Sequence, residues 1–309
     1  MEIHRNAYFR TFNPFVVGST PAGPTKFKPR KSCRKNKAYG VFCYIVPSSV
    51  PEHSTGHQNR RCKLTETQVR EDICRIGQSL FERGYVHATA GNISVKLDAE
   101  QGGGYLITPT DACLGFLDPA RLARLDADSQ QQSGDRASKT IVLHQQIYAA
   151  SAGSPTAARC IIHTHSTHCV ALTLNPMKNG QTQQPTATQT LNQERIQEYV
   201  QELLPALTPY FVMKVGHVPL IDYRRPGDPQ AAQAVAAVIA RYQTRGTPIR
   251  AVMLARLGPN VWHDSPAAAM ATLEELEETA KLWQLTQGAA LPLQENAIAE
   301  LRQTFGAFW

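Results

Sequence analysis

The chain has 309 residues and a formal net charge of +7, and this length suffices for one large or two ordinary domains with a buried core. The positive charge lies at one end. Residues 1–61 hold 11 Lys and Arg against two acidic residues, whereas the rest of the chain holds 21 basic and 23 acidic residues. This near-neutral remainder argues against nucleic-acid binding, and no apolar run reaches the roughly 20 residues that cross a membrane.

Residues 1–62 differ from the rest in composition. They are rich in Pro, Ser, Lys and Arg without sustained periodicity, which predicts a largely disordered basic extension. A solvated arm is the leading interpretation; an arm that binds RNA or anionic lipid, an organellar transit peptide and a zinc site are the alternatives. The chain starts without the apolar segment of a secretory signal, and its seven cysteines form no C-x-x-C pair. A reducing, cytoplasmic location is therefore expected.

The elements of secondary structure begin near Leu64. Thr65 and Gln68 have the spacing of a capping box, and the helix behind them is predicted to end before Gly84. Alternation and apolar runs predict strands over 91–97, 105–108, 158–163, 210–214 and 250–255. Helical periodicity predicts helices over 138–150, 228–243 and 266–286.

The order of these elements indicates the fold class. Strands and helices that do not alternate regularly predict a three-layer α/β/α domain over residues 63–290, built around a largely antiparallel sheet. Within it, the polar, low-complexity residues 175–198 are typical of a surface loop. Residues 291–309 are predicted to form a C-terminal tail.

Three short motifs have the chemistry of an anion site. Gly91 lets a ligand approach the backbone before the first strand, and Asn92 can donate to that ligand. Thr110 offers a hydroxyl where the second strand ends. Ser138 and Lys139 add a hydroxyl, an ammonium and the free N–H groups of a helix start. Each motif has a structural alternative: a helix cap for Ser138, a turn for Asn92 and a solvated surface position for Lys139.

A fourth motif is the pair His163 and His165 at the end of an apolar run. Alternate side chains of a strand point to the same face, so the two imidazoles are expected to lie side by side. Neutral imidazole is a common ligand of zinc and related metals. The alternative is a strand end with two polar residues that face solvent.

In chain order these motifs resemble the class II aldolase/adducin family over roughly residues 64–288, and most closely its 3-oxo-tetronate 4-phosphate decarboxylase subgroup. The matching segments are 88–94, 108–110 with 114–119, 163–168, 209–217, 225–229 and 274–281. The resemblance implies the α/β/α class II aldolase fold. It also implies a metal-dependent carbon–carbon lyase that acts on a phosphorylated sugar acid and releases CO2 and dihydroxyacetone phosphate. A homo-oligomer, commonly a tetramer, is implied as well.

The resemblance also assigns roles to the motifs. It implies that Gly91, Asn92, Thr110, Ser138 and Lys139 bind the substrate phosphate. It implies a divalent metal, usually zinc, on the H-x-H pair and a third histidine in a downstream His-Gly segment. A glutamate directly after the Ser-Lys pair is implied to transfer the proton.

Two of these implied residues are missing. Thr140 stands in the place of the glutamate, and a hydroxyl does not titrate usefully near neutrality. Leu257 stands in the place of the third histidine and cannot ligate a metal, and the charge of Arg256 beside it would repel a cation. Candidate replacement ligands are His168, His217 and His263.

These departures leave three interpretations open. The chain is a decarboxylase with altered or impaired chemistry, or a phosphosugar-binding or scaffold protein without catalysis. The third is a decayed gene or an error in the sequence.

Overall fold

The computed structural model describes residues 64–174 and 201–309, which belong to one compact unit. The extension 1–62 and the loop 175–198 lie outside the described residues. The domain boundaries expected after residues 62 and 290 stay predictions. Within the two described ranges, every helix is too short or too polar to cross a lipid bilayer.

Helices and strands of the described residues are numbered here in chain order. The helices are α1 (Glu66–Glu82), α2 (Ile141–Ala150), α3 (Thr167–Leu174), α4 (Pro209–Lys214), α5 (Pro229–Thr244), α6 (Pro266–Leu285) and α7 (Glu295–Phe305). The strands are β1 (Asn92–Lys96), β2 (Tyr105–Ile107), β3 (Ala123–Leu125), β4 (Gln131–Ser133), β5 (Cys160–His163), β6 (Leu220–Ile221), β7 (Ala251–Leu254) and β8 (Gly258–His263).

Helix α1 begins as its sequence indicates. The Thr65 hydroxyl accepts from the backbone N–H of Gln68, and the Gln68 side chain accepts from the N–H of Thr65 at 2.8 Å, so the predicted capping box is confirmed. One face of the helix is buried and packs on the sheet, and its residues recur at helical spacing: Val69, Ile73, Ile76, Leu80.

The strands form a single sheet in the order β4-β3-β2-β1-β5-β8-β7-β6, and each pair is antiparallel except β6 with β7. One apolar cluster joins the sheet to α1, α3 and α6, and a second joins its other face to α2 and α5. Because each sheet face is covered by helices, the apolar strand positions of both faces are removed from water. The predicted α/β/α fold with a mostly antiparallel sheet is confirmed.

The strand predicted over 210–214 is wrong, because these residues form helix α4. Thr208 is its N-cap and accepts from the N–H of Phe211, and Pro209 occupies the first turn. Both are helix-start signals that outweigh the apolar run behind them. Phe211 and Val212 are buried in two different apolar clusters, so the short helix joins them.

Two further elements were not expected from the sequence. Strand β8 lies between β5 and β7 and brings the backbone of Pro259 to the site described below. Helix α7 lies in the segment predicted as a tail, and its Ile298 packs with Val212 and Ala206. Beyond it, the ring of Trp309 stacks on that of His217 with centroids 4.4 Å apart.

Candidate active site

A cavity of about 620 Å³ opens where β1 starts, β5 ends and α2 begins. The turn between β7 and β8 and the loop 222–228 also line it. Thr140 and Leu257, the two departures from the expected pattern, lie on its wall. The same wall includes all of the site residues that the sequence analysis selected, namely Gly91, Asn92, Thr110, Ser138, Lys139, His163 and His165.

The pairing of β1 with β5 brings the anion-binding residues next to the histidine pair. Asn92 on β1 lies directly opposite His163 on β5, and directly opposite residues of an antiparallel pair share one face. Gly91 has a φ of 86°, and a Cβ there would stand 2.9 Å from the carbonyl oxygen of His163. A glycine at this position therefore lets the turn pack closely on the end of β5.

The hydroxyl of Thr140 is the centre of a small hydrogen-bond network. Asn92 donates from Nδ2 to Thr140 Oγ1 at 3.2 Å, and Ser138 donates from Oγ to the same oxygen at 3.2 Å. Asn92 Oδ1 is buried and has no hydrogen-bond partner among the described residues. Such a buried acceptor is costly unless a ligand or water reaches it.

The N-cap of α2 is Thr140, and Ser138 lies two residues before it. The backbone N–H of Thr140 nevertheless donates to Ser138 Oγ at 3.4 Å, so Ser138 makes a cap-type hydrogen bond at the start of this helix, as its structural alternative predicts. Its own N–H donates to the carbonyl of Thr108, which holds the segment against the end of β2. Lys139 between them is exposed and forms no ion pair with the described residues, so its ammonium is available to an anion in the cavity.

The His163 ring is fixed by the backbone of β8. Its Nδ1 lies 2.9 Å from the carbonyl oxygen of Pro259, which can only accept, so Nδ1 carries the proton and Nε2 has a free lone pair. That Nε2 lies 3.1 Å from Nε2 of His165, and the ring centroids are 5.0 Å apart. A backbone carbonyl that orients the ring in this way is a usual second partner of metal-binding histidines.

Both imidazoles favour the neutral form. Burial and then the charge of the neighbouring His165 lower the pKa of His163 to about 4, and the hydrogen bond to Pro259 opposes this shift only in part. Burial and then the charge of His87 lower the pKa of His165. The neutral ring is the form that binds a metal.

The pair fits two positions of a divalent metal. Two nitrogens on one tetrahedral zinc, each about 2.0–2.1 Å from it, stand about 3.3 Å apart, and their ring centroids stand about 5 Å apart. The observed separations of 3.1 and 5.0 Å agree with this geometry. Leu257 lines the cavity with a hydrocarbon side chain at the position expected for a third ligand. Among residues 64–174 and 201–309, no three His, Cys, Asp or Glu side chains already form a metal-binding group.

The three candidate replacement ligands for the metal lie away from the cavity. His168 contacts Glu277, His217 contacts Glu202 and His263 contacts Asp264, in each case with Nδ1 2.8 Å from a carboxylate oxygen. None of the three lines the cavity. Arg256, expected to repel a cation, is exposed and does not line it either.

Histidines that the sequence analysis did not select lie near the pair. The ring of His87 is 6.4 Å from that of His165, centroid to centroid, at an interplanar angle of 72°. His144 on α2 is fully buried and contacts Ser94 Oγ at 2.7 Å; burial and then the charge of His163 lower its pKa to about 3. No sequence motif pointed to His87, which is exposed in the turn before β1 and does not itself line the cavity.

Comparison with known proteins agrees with this geometry. Residues 71–284 match the family described as Class II Aldolase and Adducin N-terminal domain. A 3-oxo-tetronate 4-phosphate decarboxylase of Cupriavidus necator is 47% identical over 250 residues, which cover 79% of this chain and 99% of that protein. The protein of the same name from Escherichia coli K12 is 37% identical over 238 residues, covering 77% and 96%.

Solved structures similar to this chain point to the same family. YgbL from Escherichia coli is 35% identical with a TM-score of 0.61, over 77% of this chain and 99% of that one. An L-fuculose 1-phosphate aldolase is 21% identical with a TM-score of 0.58, over 77% and 96%, and shares the fold. The predicted family and lyase-type enzyme class are confirmed by these relationships. The chain belongs to the class II aldolase and adducin N-terminal domain family.

Proposed function

We propose that this chain is a metal-dependent decarboxylase of 3-oxo-tetronate 4-phosphate that releases CO2 and dihydroxyacetone phosphate. The observation that carries the proposal is the convergence of the His163–His165 pair and the Ser138–Lys139 segment in one cavity. The 47% identity to a decarboxylase of this name along almost its full length supports the choice of substrate.

The phosphate end of the substrate binds where donors are concentrated. Lys139 supplies an ammonium, Ser138 a hydroxyl and Asn92 an amide N–H, and all three line the cavity. Thr110 and the backbone at Gly91 complete this subsite. Binding of a group remote from the reacting carbon supplies the energy that orients the rest of the substrate.

The reaction breaks the bond between C1 and C2 of the sugar acid. C1 leaves as CO2, and the bonding electron pair passes into C2 and the neighbouring C3 carbonyl, which forms an enediolate. A proton then adds to C2 and yields the ketone product. No base is needed to start this sequence, but the negative charge that develops on the C3 oxygen must be stabilised.

His163 and His165 hold the cofactor in this proposal, with zinc as the metal. A divalent ion on this pair would supply a Lewis acid that stabilises negative charge on substrate oxygens. The carbonyl of Pro259 keeps the His163 ring in the orientation and tautomer that present Nε2 to the cavity. Leu257 and Leu254 make part of the wall apolar, which strengthens electrostatic interactions inside it.

Thr140 sets a limit on the rate. Its hydroxyl accepts hydrogen bonds from Asn92 and Ser138 and does not titrate near neutrality, so position 140 does not supply the proton for C2. A positioned general acid is worth about 10²–10⁴ in rate, and the chain works without that contribution at this position.

Thr140 and Leu257 together favour a second candidate function. With Thr140 and Leu257 in the cavity, the chain would bind a phosphosugar without turning it over and serve as an oligomeric scaffold. This alternative predicts that dihydroxyacetone phosphate raises the unfolding temperature equally with and without a chelator.

The deciding experiment measures product. The purified chain with excess Zn2+ or Mn2+ is given 3-oxo-tetronate 4-phosphate, and dihydroxyacetone phosphate is followed by a coupled assay. Product above that of a His165→Ala variant, lost on chelation, supports the decarboxylase. Turnover no greater than that of His165→Ala contradicts it, and ligand-induced stabilisation that survives chelation then favours the binding protein.

Two further properties belong to this proposal. A homo-tetramer is proposed from the family resemblance, and sedimentation or light scattering of the purified chain tests it. A cytoplasmic location is proposed from the free cysteines and the metabolic substrate.

A further inference from the structure

The metal position in the cavity lacks a ligand. Catalytic zinc sites commonly have three protein ligands and an open position, and the His163–His165 pair supplies only two. The β7–β8 turn brings Leu257 to the wall where a third would be expected, and the side chain cannot coordinate. Any third ligand therefore has to come from another segment.

The turn before β1 brings another imidazole close to His165. His87 and His165 have ring centroids 6.4 Å apart, against 5.0 Å within the pair itself. The interplanar angles are also alike, at 72° and 68°. Since two rings on one tetrahedral ion stand about 5 Å apart, His87 is a small movement from ligand distance.

The His87 side chain is free to make that movement. It is exposed, and it forms no hydrogen bond or ion pair with the described residues; its one ring contact is with His165. Its backbone, by contrast, is held in a turn in which its carbonyl accepts from the N–H of Ala90 at 2.9 Å. A change of χ1 rotamer moves an imidazole ring by several ångströms, on the order of 3–4 Å, without moving the backbone.

The other histidines of the described ranges lack this freedom. His168, His217 and His263 each have Nδ1 bonded to a carboxylate. His144 is fully buried and already bonded to Ser94. Among the described histidines outside the pair, His87 is thus the one whose ring contacts that of His165 and whose ring nitrogens have no hydrogen-bond partner.

We propose that His87 is the third protein ligand of the divalent metal in this chain, in place of the residue at position 257. The inference rests on the proposed function only in that both assign the metal to His163 and His165. It moves one ligand from the β7–β8 turn to the turn before β1, and leaves the Leu257 side of the cavity open to substrate.

The test is a metal titration without substrate. The full chain is titrated with Co2+ against a chromophoric chelator, and its visible d–d bands, which are strong for tetrahedral sites, report the ligand geometry. The variants are His87→Ala, His165→Ala and, as a matched control, His263→Ala. His87→Gln serves as a second substitution, and circular dichroism checks the fold of each.

One Co2+ per chain is expected for the wild type and for His263→Ala. Both His87 variants should bind about tenfold more weakly or worse, because even outer partners of metal ligands are worth 10–100-fold in affinity, and their bands should lose intensity. Leu257→His in the His87→Ala background should restore tight binding. The proposal is overturned if folded His87→Ala matches the wild type in affinity and spectrum, or if the wild type binds no better than His165→Ala.

Failure of this inference is distinguishable from failure of the function. If His87→Ala binds metal normally and the wild type decarboxylates its substrate, the ligand assignment fails and the function stands. If the wild type binds Co2+ through His87 and releases no product, the ligand assignment stands and the decarboxylase does not.

Discussion

Asn92 on β1 donates a hydrogen bond to Oγ1 of Thr140 at the start of α2, across 3.2 Å. The contact joins the two segments that bear the anion-binding residues. It also shows that a side chain at position 140 faces the amide of Asn92 inside the cavity. A carboxylic acid placed there would enter the same space.

Thr140→Glu is expected to raise the rate of product release at saturating substrate. It adds a titratable acid beside Asn92, and a positioned general acid contributes about 10²–10⁴-fold. The kcat for dihydroxyacetone phosphate formation measures the effect. Thr140→Gln is the control of equal size, and an equal gain with Gln would show that proton transfer is not the cause.

Leu257→His is expected to tighten zinc binding by about tenfold or more, because it adds an imidazole to a wall that now offers only hydrocarbon. Competition with a chelator gives the affinity. Leu257→Asn has a similar shape but is a poor zinc ligand, and should leave the affinity unchanged. Equal affinities for all three proteins would place position 257 away from the metal.

Lys139→Met is expected to raise KM for the phosphorylated substrate roughly ten- to a hundredfold, the size of a charge-assisted hydrogen bond of about 1.5–3 kcal/mol. The apolar part of the side chain is kept. Lys96→Met, at the exposed far end of β1, is the matched control. A loss of kcat with unchanged KM would contradict an anion-binding role.

Gly91→Ala is expected to destabilise the fold more than Gly84→Ala. Both glycines have positive φ, 86° and 72°, and each alanine costs about 1–2 kcal/mol on that ground. A Cβ at Gly91 also meets the His163 carbonyl oxygen at 2.9 Å, whereas nothing lies within 4 Å at Gly84. Overpacking should add about 1–3 kcal/mol, read from urea unfolding. Equal losses would mean that the turn moves aside freely.

Glu277→Gln is expected to lower the free energy of unfolding at pH 7 by about 1–3 kcal/mol. Burial raises the pKa of this carboxyl, but the N–H groups of His168 and Cys169 donate to it and outweigh burial, so its pKa is lowered. A lowered pKa in the folded chain means that the carboxylate stabilises above the unfolded value of about 4.3 and ceases to do so as pH falls through the folded value.

The stability difference between wild type and Glu277→Gln should therefore be constant near neutrality and shrink as pH falls below about 4. Urea unfolding at a series of pH values measures it. A difference that does not change with pH would show that the carboxylate charge is unimportant. Glu278→Gln, on the exposed face of α6, should have little effect at any pH.

Local sequence patterns predicted much of the secondary structure of this protein. The capping box at Thr65 and the glycine turn before β1 depend on neighbours in sequence, so they were predictable from it. The proximity of the H-x-H pair was predicted from strand periodicity, but β5 ends at His163 and His165 lies in the segment that follows. The 3.1 Å approach of the two rings therefore depends on that segment and not on alternation along a strand. Residues 210–214 were mispredicted because apolar runs of that length fit strand and helix alike, and the signal at Thr208 and Pro209 decides between them.

Sequence alone therefore determined the family, the fold class and seven of the residues that line the cavity, because each is written in short motifs of fixed order. Tertiary structure decided what no motif contains. It set β8 beside β5, so that Pro259 orients His163, and it left the three candidate replacement ligands bound to carboxylates away from the cavity. It also brought His87 beside His165 across 78 residues of chain. These contacts join residues far apart in sequence, and only the pairing of strands and the packing of turns determine which of them meet.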